Sequence, residues 1–332
     1  MGNGFVLFFC MFAALNRIVV QSQNLNYMKK LLLALVALTF LFSACNKEGV
    51  YTPKKKLSTV YYQKADSEQK DLYEEFLWDG NKLTSRISKG SLINQYFDDV
   101  ELVPTYEGKR VIRVDEKVSG DYVDYYYDGK LLTKLVYHSG NMTAEATVEH
   151  KDGKISRVFF PTAKATGEDV IAKLMRVFVP QEQIQDMHKV LKQNSKSLAA
   201  VDVEMLWTWD GDNVVEVVSN LFDKEDDEIP VTNYVAKLTH DNNLNPYAIS
   251  WADFGSELQI AQQSYGCTYF TLSKNNIVRI EHTNTITMSI LPEPIVSQFA
   301  EEITYEYDGK YPVKATRTEE GEVTGTFYYE YK

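Results

Sequence analysis

Alternating hydrophobic and polar residues, interrupted by Asp-Gly or similar dipeptides, recur along most of the chain. The stretch from Tyr125 to Tyr137 shows the pattern clearly, because an aromatic run ends at Asp128-Gly129 and a leucine-rich run follows. Asp-Gly tolerates the positive φ of a tight turn, and aromatic and β-branched residues favour strands. The stretch therefore predicts a β-hairpin.

Similar turn sequences follow one another from residue 76 to the C-terminus. Their markers are Gly80, Gly108, Gly129, Gly153, Gly211, Asn242, Asn275 and Gly309. Asn replaces Gly in two of them because Asn also tolerates positive φ. The spacings are 28, 21, 24, 58, 31, 33 and 34 residues. This repetition predicts a mainly β domain over 58–332, a large antiparallel meander of hairpins with its last strand at 326–331.

The apolar residues after Gly129 indicate how the sheet is covered. Side chains alternate with period two along a strand, so Leu131 and Leu135 are expected on one face and Leu132 and Val136 on the other. A sheet that is apolar on both faces has to be covered on both. The pattern therefore favours a strongly curved or barrel-like sheet, and it leaves open whether the sheet closes.

The gap of 58 residues contains a different pattern. Residues 166–169 read Thr-Gly-Glu-Asp, a candidate helix cap, and apolar residues follow at helical spacing through Phe178. A second such run begins at Ile184, beyond Pro180. These runs predict a short helical insert at about 164–196 that packs on one face of the sheet.

The N-terminal region has the features of an export signal. From Met28 the chain reads Met-Lys-Lys, then an apolar run to Phe42, then Ser43-Ala44-Cys45. Residues 28–44 are therefore predicted to be a signal peptide, with cleavage before a lipidated Cys45 and a tether over 45–57. Twelve apolar residues are too few for a span of about 30 Å. Residues 1–27 are interpreted as an upstream start chosen in error, with a longer leader as the alternative.

The net charge of the mature chain indicates which classes of binding partner are suitable. Removing residues 1–44 takes away Arg17, Lys29 and Lys30 and no acid, which leaves 32 basic and 46 acidic residues and a net charge of −14. Nucleic acid is an unsuitable partner for so acidic a protein. Membrane attachment is expected through acyl chains on Cys45, because two or more chains give stable anchoring.

The residues that most often ligate metals or perform catalysis are scattered. No two of the five histidines lie at a metal-ligand spacing, so no metal site is predicted. His150 and His240 adjoin turns and are expected to be exposed. Cys267 is interpreted as a small buried hydrophobe in a strand. No phosphate loop, dinucleotide fingerprint or nucleophile elbow is present, so no cofactor is predicted.

Three segments together resemble a known family. They are the lipobox-like Leu41-Phe42-Ser43-Ala44-Cys45, the run Leu238 to Tyr247 that ends Asn-Pro-Tyr, and the ending Tyr307-Asp308-Gly309-Lys310-Tyr311-Pro312. With the Tyr-Asp-Gly hairpins they resemble Bacteroidetes lipoproteins of unknown function with YD-like repeats and a porin-like β fold. The resemblance covers most of residues 60–332. It implies an outer-membrane, lipid-anchored β protein, periplasmic or surface-facing, and brings no activity with it.

Two functions follow as hypotheses. The first is a non-catalytic scaffold or binding module for a glycan or an envelope protein. Trp207, Trp209 and Trp251 are its candidate ligand contacts, although cross-strand aromatic packing is the favoured interpretation of such residues, because an aromatic recurs at the same place in each repeat. The second is a carboxylate-dependent hydrolase acting in a cleft beside the helical insert. It requires two converging acids, and the sequence marks no such pair.

Overall fold

A computed structural model describes residues 55–80, 82–92, 99–108, 110–140, 142–161, 201–223, 226–247, 273–287 and 293–332. These residues belong to the compact unit Val50–Lys332. The first eight strands are β1 (Leu57–Lys64), β2 (Asp71–Asp79), β3 (Lys82–Lys89), β4 (Asp99–Glu107), β5 (Arg110–Glu116), β6 (Tyr122–Asp128), β7 (Leu131–Ser139) and β8 (Met142–Lys151). The others are β9 (Lys154–Phe160), β10 (Val201–Asp210), β11 (Asn213–Asp223), β12 (Asp226–Leu244), β13 (Asn275–Ile286), β14 (Ile295–Asp308), β15 (Tyr311–Glu319) and β16 (Glu322–Tyr331). A single 3-10 turn, Gly90–Leu92, follows β3.

The sixteen described strands form one closed antiparallel barrel. Each strand pairs with its sequence neighbours, and β1 pairs with β16 to close the ring, with Val60 opposite Tyr329. Two backbone hydrogen bonds between Lys56 and Lys332, of 2.9 and 2.8 Å, complete this seam. The prediction of an antiparallel meander is confirmed, and the sheet is a closed barrel.

Six of the predicted glycine turns lie at one end of the barrel, which we call the turn end. Gly80, Gly108, Gly129, Gly153, Gly211 and Gly309 have φ between 54° and 77° there, a range that favours glycine. The two predicted turns at Asn242 and Asn275 are not hairpins. Residue 242 lies within β12 and residue 275 begins β13, so these asparagines flank one long connection at the turn end.

A β-bulge accompanies every strand pairing at the turn end. In the opening hairpin the register shifts between Tyr126 and Tyr127. As a result Leu132 and Leu135 both point into the barrel, at 1% and 2% exposure, whereas Leu131 is 43% exposed. The prediction that Leu132 and Leu135 lie on opposite faces is wrong, because a bulge inserts an extra residue and reverses the alternation. The buried apolar residues Leu132 and Leu135 therefore share the inner face, and Leu131 lies on the outer face.

The core fills the inside of the barrel. Val158, Met205, Val217, Ala236 and Ile280 are buried on consecutive strands β9 to β13, each at 1% exposure or less. They belong to a continuous cluster of buried apolar side chains that runs around the ring. The inner wall is therefore packed rather than wetted.

Several predictions concern residues outside the described ranges. They include the signal peptide at 28–44, the lipidated Cys45, the helical insert at about 164–196, Trp251 and Cys267. Within the described ranges, no helix has the length and apolar character needed to cross a membrane.

Candidate functional site

Aromatic residues near the turn end tie neighbouring strands together. Trp209 Nε1 donates a hydrogen bond to the carbonyl of Ile155 at 2.7 Å, and the hydroxyl of Tyr127 donates to the carbonyl of Val111 at 2.7 Å. Four other aromatic side chains donate to a backbone carbonyl in the same way: Trp78 to Leu57, Tyr106 to Leu83, Tyr305 to Ile277 and Tyr331 to Pro312. The ring buries apolar area while its polar atom finds a backbone partner. The repeated aromatic is therefore a strand-linking element.

Basic residues pack on these aromatic rings and add a second contact between neighbouring hairpins. Arg110 lies over the ring of Tyr127, 4.4 Å from its centroid, and donates to the carbonyl of Gly129 at 2.6 Å. Lys154 lies in the same way over Trp209 and donates to the carbonyl of Gly211. Arg110 and Lys154 thus each connect one hairpin to the turn of the next hairpin. Each also covers one face of the aromatic ring beneath it, so that face is not open to a ligand.

The structure places two of the three predicted tryptophan contacts. Trp207 is 4% exposed and faces the interior of the barrel. Trp209 also faces inward, with its N–H and one ring face engaged as described. Trp251 lies outside the described residues. The structure does not bring Trp207 and Trp209 to an open surface, and the ligand-binding role of the three remains a prediction.

The long connection at the turn end leaves the barrel from a polar cluster centred on Asp241. Its Oδ1 accepts hydrogen bonds from the backbone N–H groups of Asn243, at 2.9 Å, and Asn276, at 3.2 Å. The hydroxyl of Tyr307 donates to Oδ2. Burial and the adjacent carboxylate raise the pKa of Tyr307, which keeps this hydroxyl a donor. Both flanks of the connection are therefore fixed to the same carboxylate.

A second set of contacts surrounds Ser273. Its hydroxyl is 2.9 Å from Nε2 of His240 and accepts from the backbone N–H of Val214 at 3.1 Å. Burial lowers the pKa of His240 to about 4, with Asp241 opposing part of the effect, so the imidazole is neutral near pH 7. Burial also lowers the pKa of His150. The expectation that both histidines are exposed is wrong, because they take positions that aromatic residues take in other hairpins.

A buried polar chain crosses β12 to β15 inside the barrel. Tyr234 contacts Nδ1 of His282, His282 Nε2 lies 3.3 Å from Glu301, and Arg317 Nε donates to Glu301 at 3.0 Å. Burial raises the pKa of Glu301, but the hydrogen bond from His282 and the charge of Arg317 outweigh it and lower the pKa to about 2. The carboxylate is therefore ionised, and its role is to hold the two basic groups.

A separate ion pair lies between β2 and β3. Arg86 donates to Glu74, and both side chains are buried, at 5% and 1% exposure. Burial alone would lower the pKa of Arg86, but the Glu74 carboxylate more than offsets it and the pKa is raised. A third buried acid, Asp121, accepts a hydrogen bond from the hydroxyl of Tyr137 at 2.5 Å.

These contacts bear on catalysis and metal binding. Each of the buried acids Glu74, Asp121 and Glu301 is bound by its own partner, and the pKa of Glu301 is about 2, far below that of a general acid at neutral pH. The hydrolase hypothesis therefore has no support in the described part of the chain. In the same residues, no three His, Cys, Asp or Glu side chains are grouped closely enough to hold a metal ion.

A network of polar side chains lies on the outer wall of the barrel over β8 to β12, whereas other outward positions, such as Leu77 and Leu131, are apolar. On β8 to β10, Arg157 donates to Glu149 and to Glu204, each at 2.6 Å. The network continues onto β11 and β12, where Asn220 donates to Glu204 at 3.0 Å and Asn233 donates to Asn220 at 2.7 Å. One hydrogen-bonded belt thus crosses five neighbouring strands on the outside, opposite the apolar residues of the inner wall.

Comparisons with known proteins add the following. No protein-family model matches the chain, and no curated protein matches it. Among solved structures, the chain is similar to a porin-like protein from Bacteroides vulgatus at 11% identity and a TM-score of 0.47, over 84% of this chain and 99% of that one. It is also similar to a porin-like protein from Bacteroides uniformis at 13% identity and a TM-score of 0.44, over 86% and 100%. At these identities the likeness concerns the fold alone.

Proposed function

We propose that the protein is a non-catalytic lipoprotein of the bacterial outer membrane whose barrel stands in water, periplasmic or surface-facing, as a scaffold for a binding partner. In this proposal Cys45 carries the lipid and residues 45–57 form the tether. The sequence motif around Cys45 supports the lipid anchor, and the two faces of the barrel wall support a barrel that lies outside the bilayer.

The distribution of polar side chains is the observation that carries the proposal. A barrel that crosses a membrane presents apolar residues to lipid and polar residues to its lumen. Here the belt around Arg157 and Glu204 lies outside, and Val158 and Met205 lie inside. A charged side chain at mid-bilayer costs about 2–4 kcal/mol. The wall is therefore suited to water on its outer face.

The buried ionisable groups support a non-catalytic role. Glu301 is ionised and held by His282 and Arg317, and Glu74 is held by Arg86. A general acid needs a pKa near the working pH, and Glu301 has one of about 2. These pairs fix strands to one another and hold the buried acids Glu74 and Glu301 of the described residues away from proton transfer.

The ligand proposed from the sequence is a glycan or another envelope protein, and Trp251 is the tryptophan we propose as its contact. The Asp241 cluster holds the described residues Asn243 and Asn276, which lie on either side of Trp251 in the sequence. Glycan-array binding by the wild type that is lost in Trp251→Ala and retained in Trp78→Phe would support this contact. Equal glycan binding by the two variants would show that Trp251 does not contact the ligand.

Membrane fractionation tests the anchor and the water-facing barrel together. The full chain and its Cys45→Ser variant are expressed in a Gram-negative host that processes lipoproteins, with Cys267→Ser as the matched cysteine control. We expect the wild type and Cys267→Ser in the outer-membrane fraction, and Cys45→Ser in the soluble periplasmic fraction. A Cys45→Ser protein that stays in the membrane after alkaline washing would show that the barrel itself is embedded, and would overturn the proposal.

A further inference from the structure

At the end of the barrel opposite the turn end, β14 extends past its neighbour β15. The pairing of β14 with β13 begins at Ile295 opposite Ile286. The pairing with β15 begins six residues later, where Glu301 lies opposite Glu319 and β15 ends. In the described residues, the segment Ile295–Ala300 is therefore paired on one side only, and we call its other side the β14 edge.

The β14 edge is exposed and uncharged. Its sequence is Ile-Val-Ser-Gln-Phe-Ala, with Ile295 at 50% and Val296 at 57% exposure. Phe299 stacks on His282, with ring centroids 4.2 Å apart, so the base of the segment is held against the barrel. An ordered strand with one unpaired side offers a row of backbone donors and acceptors to another strand.

The turn between β15 and β16, next to the β14 edge, carries negative charge. β15 ends at Glu319 and the chain returns through Glu320 and Gly321 to Glu322, so three exposed glutamates lie where a strand added to β14 would begin. Glu302, the next outward residue of β14, is exposed as well. A strand that continues the line of β15 would therefore place its first residues against a concentrated negative charge.

We propose that the β14 edge is a docking site for an extended segment of a partner protein, which adds to the sheet antiparallel to β14. The segment has an uncharged, β-branched centre that pairs with residues 295–300. Lysine or arginine at its N-terminal end meets Glu319, Glu320 and Glu322. Antiparallel addition follows the pairing of every other strand in the barrel. The inference deepens the scaffold role proposed above and rests on it.

A synthetic peptide tests the site on the intact mature protein. The probe is acetyl-Lys-Lys-Thr-Val-Thr-Val-Ser-Thr, and its controls carry Glu in place of both Lys or N-methyl groups on alternate amides. We expect the lysine peptide to bind and to slow amide exchange at residues 295–300. The glutamate peptide is expected to bind about tenfold more weakly, which corresponds to about 1.4 kcal/mol, and the N-methylated peptide not to bind.

Protein variants separate this site from general attraction to an acidic surface. Glu319→Gln/Glu320→Gln/Glu322→Gln is expected to weaken binding about tenfold, whereas Glu107→Gln/Glu145→Gln/Glu330→Gln, which loses three exposed charges elsewhere, keeps it. Equal weakening in both variants, or protection outside residues 295–300, overturns the proposal. Protection of residues 295–300 that depends on protein concentration without peptide also overturns it, because the occupant is then a second copy. None of these results changes the fractionation test.

Discussion

Gly325 on β16 lies directly beneath the ring of Tyr62 on β1, across the seam that closes the barrel. A Cβ atom at position 325 would lie 2.8 Å from the hydroxyl oxygen of Tyr62 and 2.9 Å from Cζ, which is closer than packed atoms approach. The ring fills this space and its hydroxyl donates to the carbonyl of Thr324 at 3.3 Å. The Tyr62 ring therefore requires glycine at position 325. The backbone there is strand rather than turn, so no turn conformation accounts for the glycine.

The first prediction concerns this contact. Gly325→Ala should lower the free energy of unfolding by about 1–3 kcal/mol, because the methyl group displaces a buried ring. Adding Tyr62→Ala should make the double variant less destabilised than the sum of the two single changes, since the clash is gone. Urea unfolding of the mature protein measures all three, with the exposed Val323→Ala as control. Strict additivity would show that the ring and the glycine do not oppose each other.

The second prediction compares two adjacent tyrosines. Tyr127 donates to the carbonyl of Val111 from inside the barrel, whereas Tyr126 lies on the outside at 44% exposure. Tyr127→Phe should cost about 0.5–1.5 kcal/mol of stability through the lost hydrogen bond. Tyr126→Phe should change stability by less than about 0.5 kcal/mol. Equal effects in denaturant titrations would contradict a strand-linking role for the inward hydroxyl.

The third prediction concerns the buried pair of Glu74 and Arg86. Arg86→Met should destabilise the barrel by about 3–5 kcal/mol, because it leaves a carboxylate buried without its cation. Glu74→Leu/Arg86→Met removes both charges and should recover most of that loss. Thermal and chemical unfolding of the two variants measure the difference. A double variant as unstable as Arg86→Met would mean that packing at residue 86, rather than charge, decides the effect.

The fourth prediction is a pH dependence that originates at Glu301. Its pKa is about 2 in the folded protein, against an ordinary value of 4.5, so the unfolded chain takes up the proton first as pH falls. The stabilisation is complete above about pH 4.5 and is lost as pH falls toward 2. The shift corresponds to about 3 kcal/mol. Glu301→Gln should therefore show a smaller loss of stability over this range than the wild type.

The control for the pH experiment is the neighbouring residue on the same strand. Glu302 lies on the outside, with 61% of its side chain exposed, and pairs with Arg279 at 2.7 Å. Exposed pairs contribute about 0–1 kcal/mol. Glu302→Gln should therefore follow the wild-type pH curve closely. The assignment to Glu301 fails if both glutamine variants have the same curve as the wild type.

The repeated turns were predictable from sequence because their signals are local. An Asp-Gly pair between alternating runs marks a hairpin wherever it occurs, and six glycine turns lie where the dipeptides indicate. The bulge beside each turn has a weaker signal in the sequence than the turn itself. It moves Leu135 from one face to the other, and with it every inward position farther along β7. Period-two reasoning therefore assigned Leu132 and Leu135 to opposite faces, whereas both are buried on the inner face.

The interior ionic contacts were missed for a related reason. Arg86 follows Leu83 by three residues, as Leu135 follows Leu132, so the same bulge brings a charged residue into the core. Its partner Glu74 lies on the preceding strand, and His282, Glu301 and Arg317 come from three separate strands. Only the register between strands brings such residues together. Two apolar residues three positions apart follow several of the turns, as in Val111/Val114, Leu132/Leu135, Ile155/Val158 and Val214/Val217. The same spacing counted from Leu83 reaches Arg86 and is the signal that would have placed Arg86 inside the barrel.

The seam between β1 and β16 brings residues 56 and 332 within hydrogen-bonding distance, as if they were neighbours in a hairpin. The ring of strands consequently has no structural beginning or end. A circular permutant that joins these residues through a short linker and opens the chain at the Gly80 turn would keep all sixteen strand pairings. In the natural order, closure has to wait for β16, the partner of β1, so the barrel can complete its folding only after all sixteen strands have emerged.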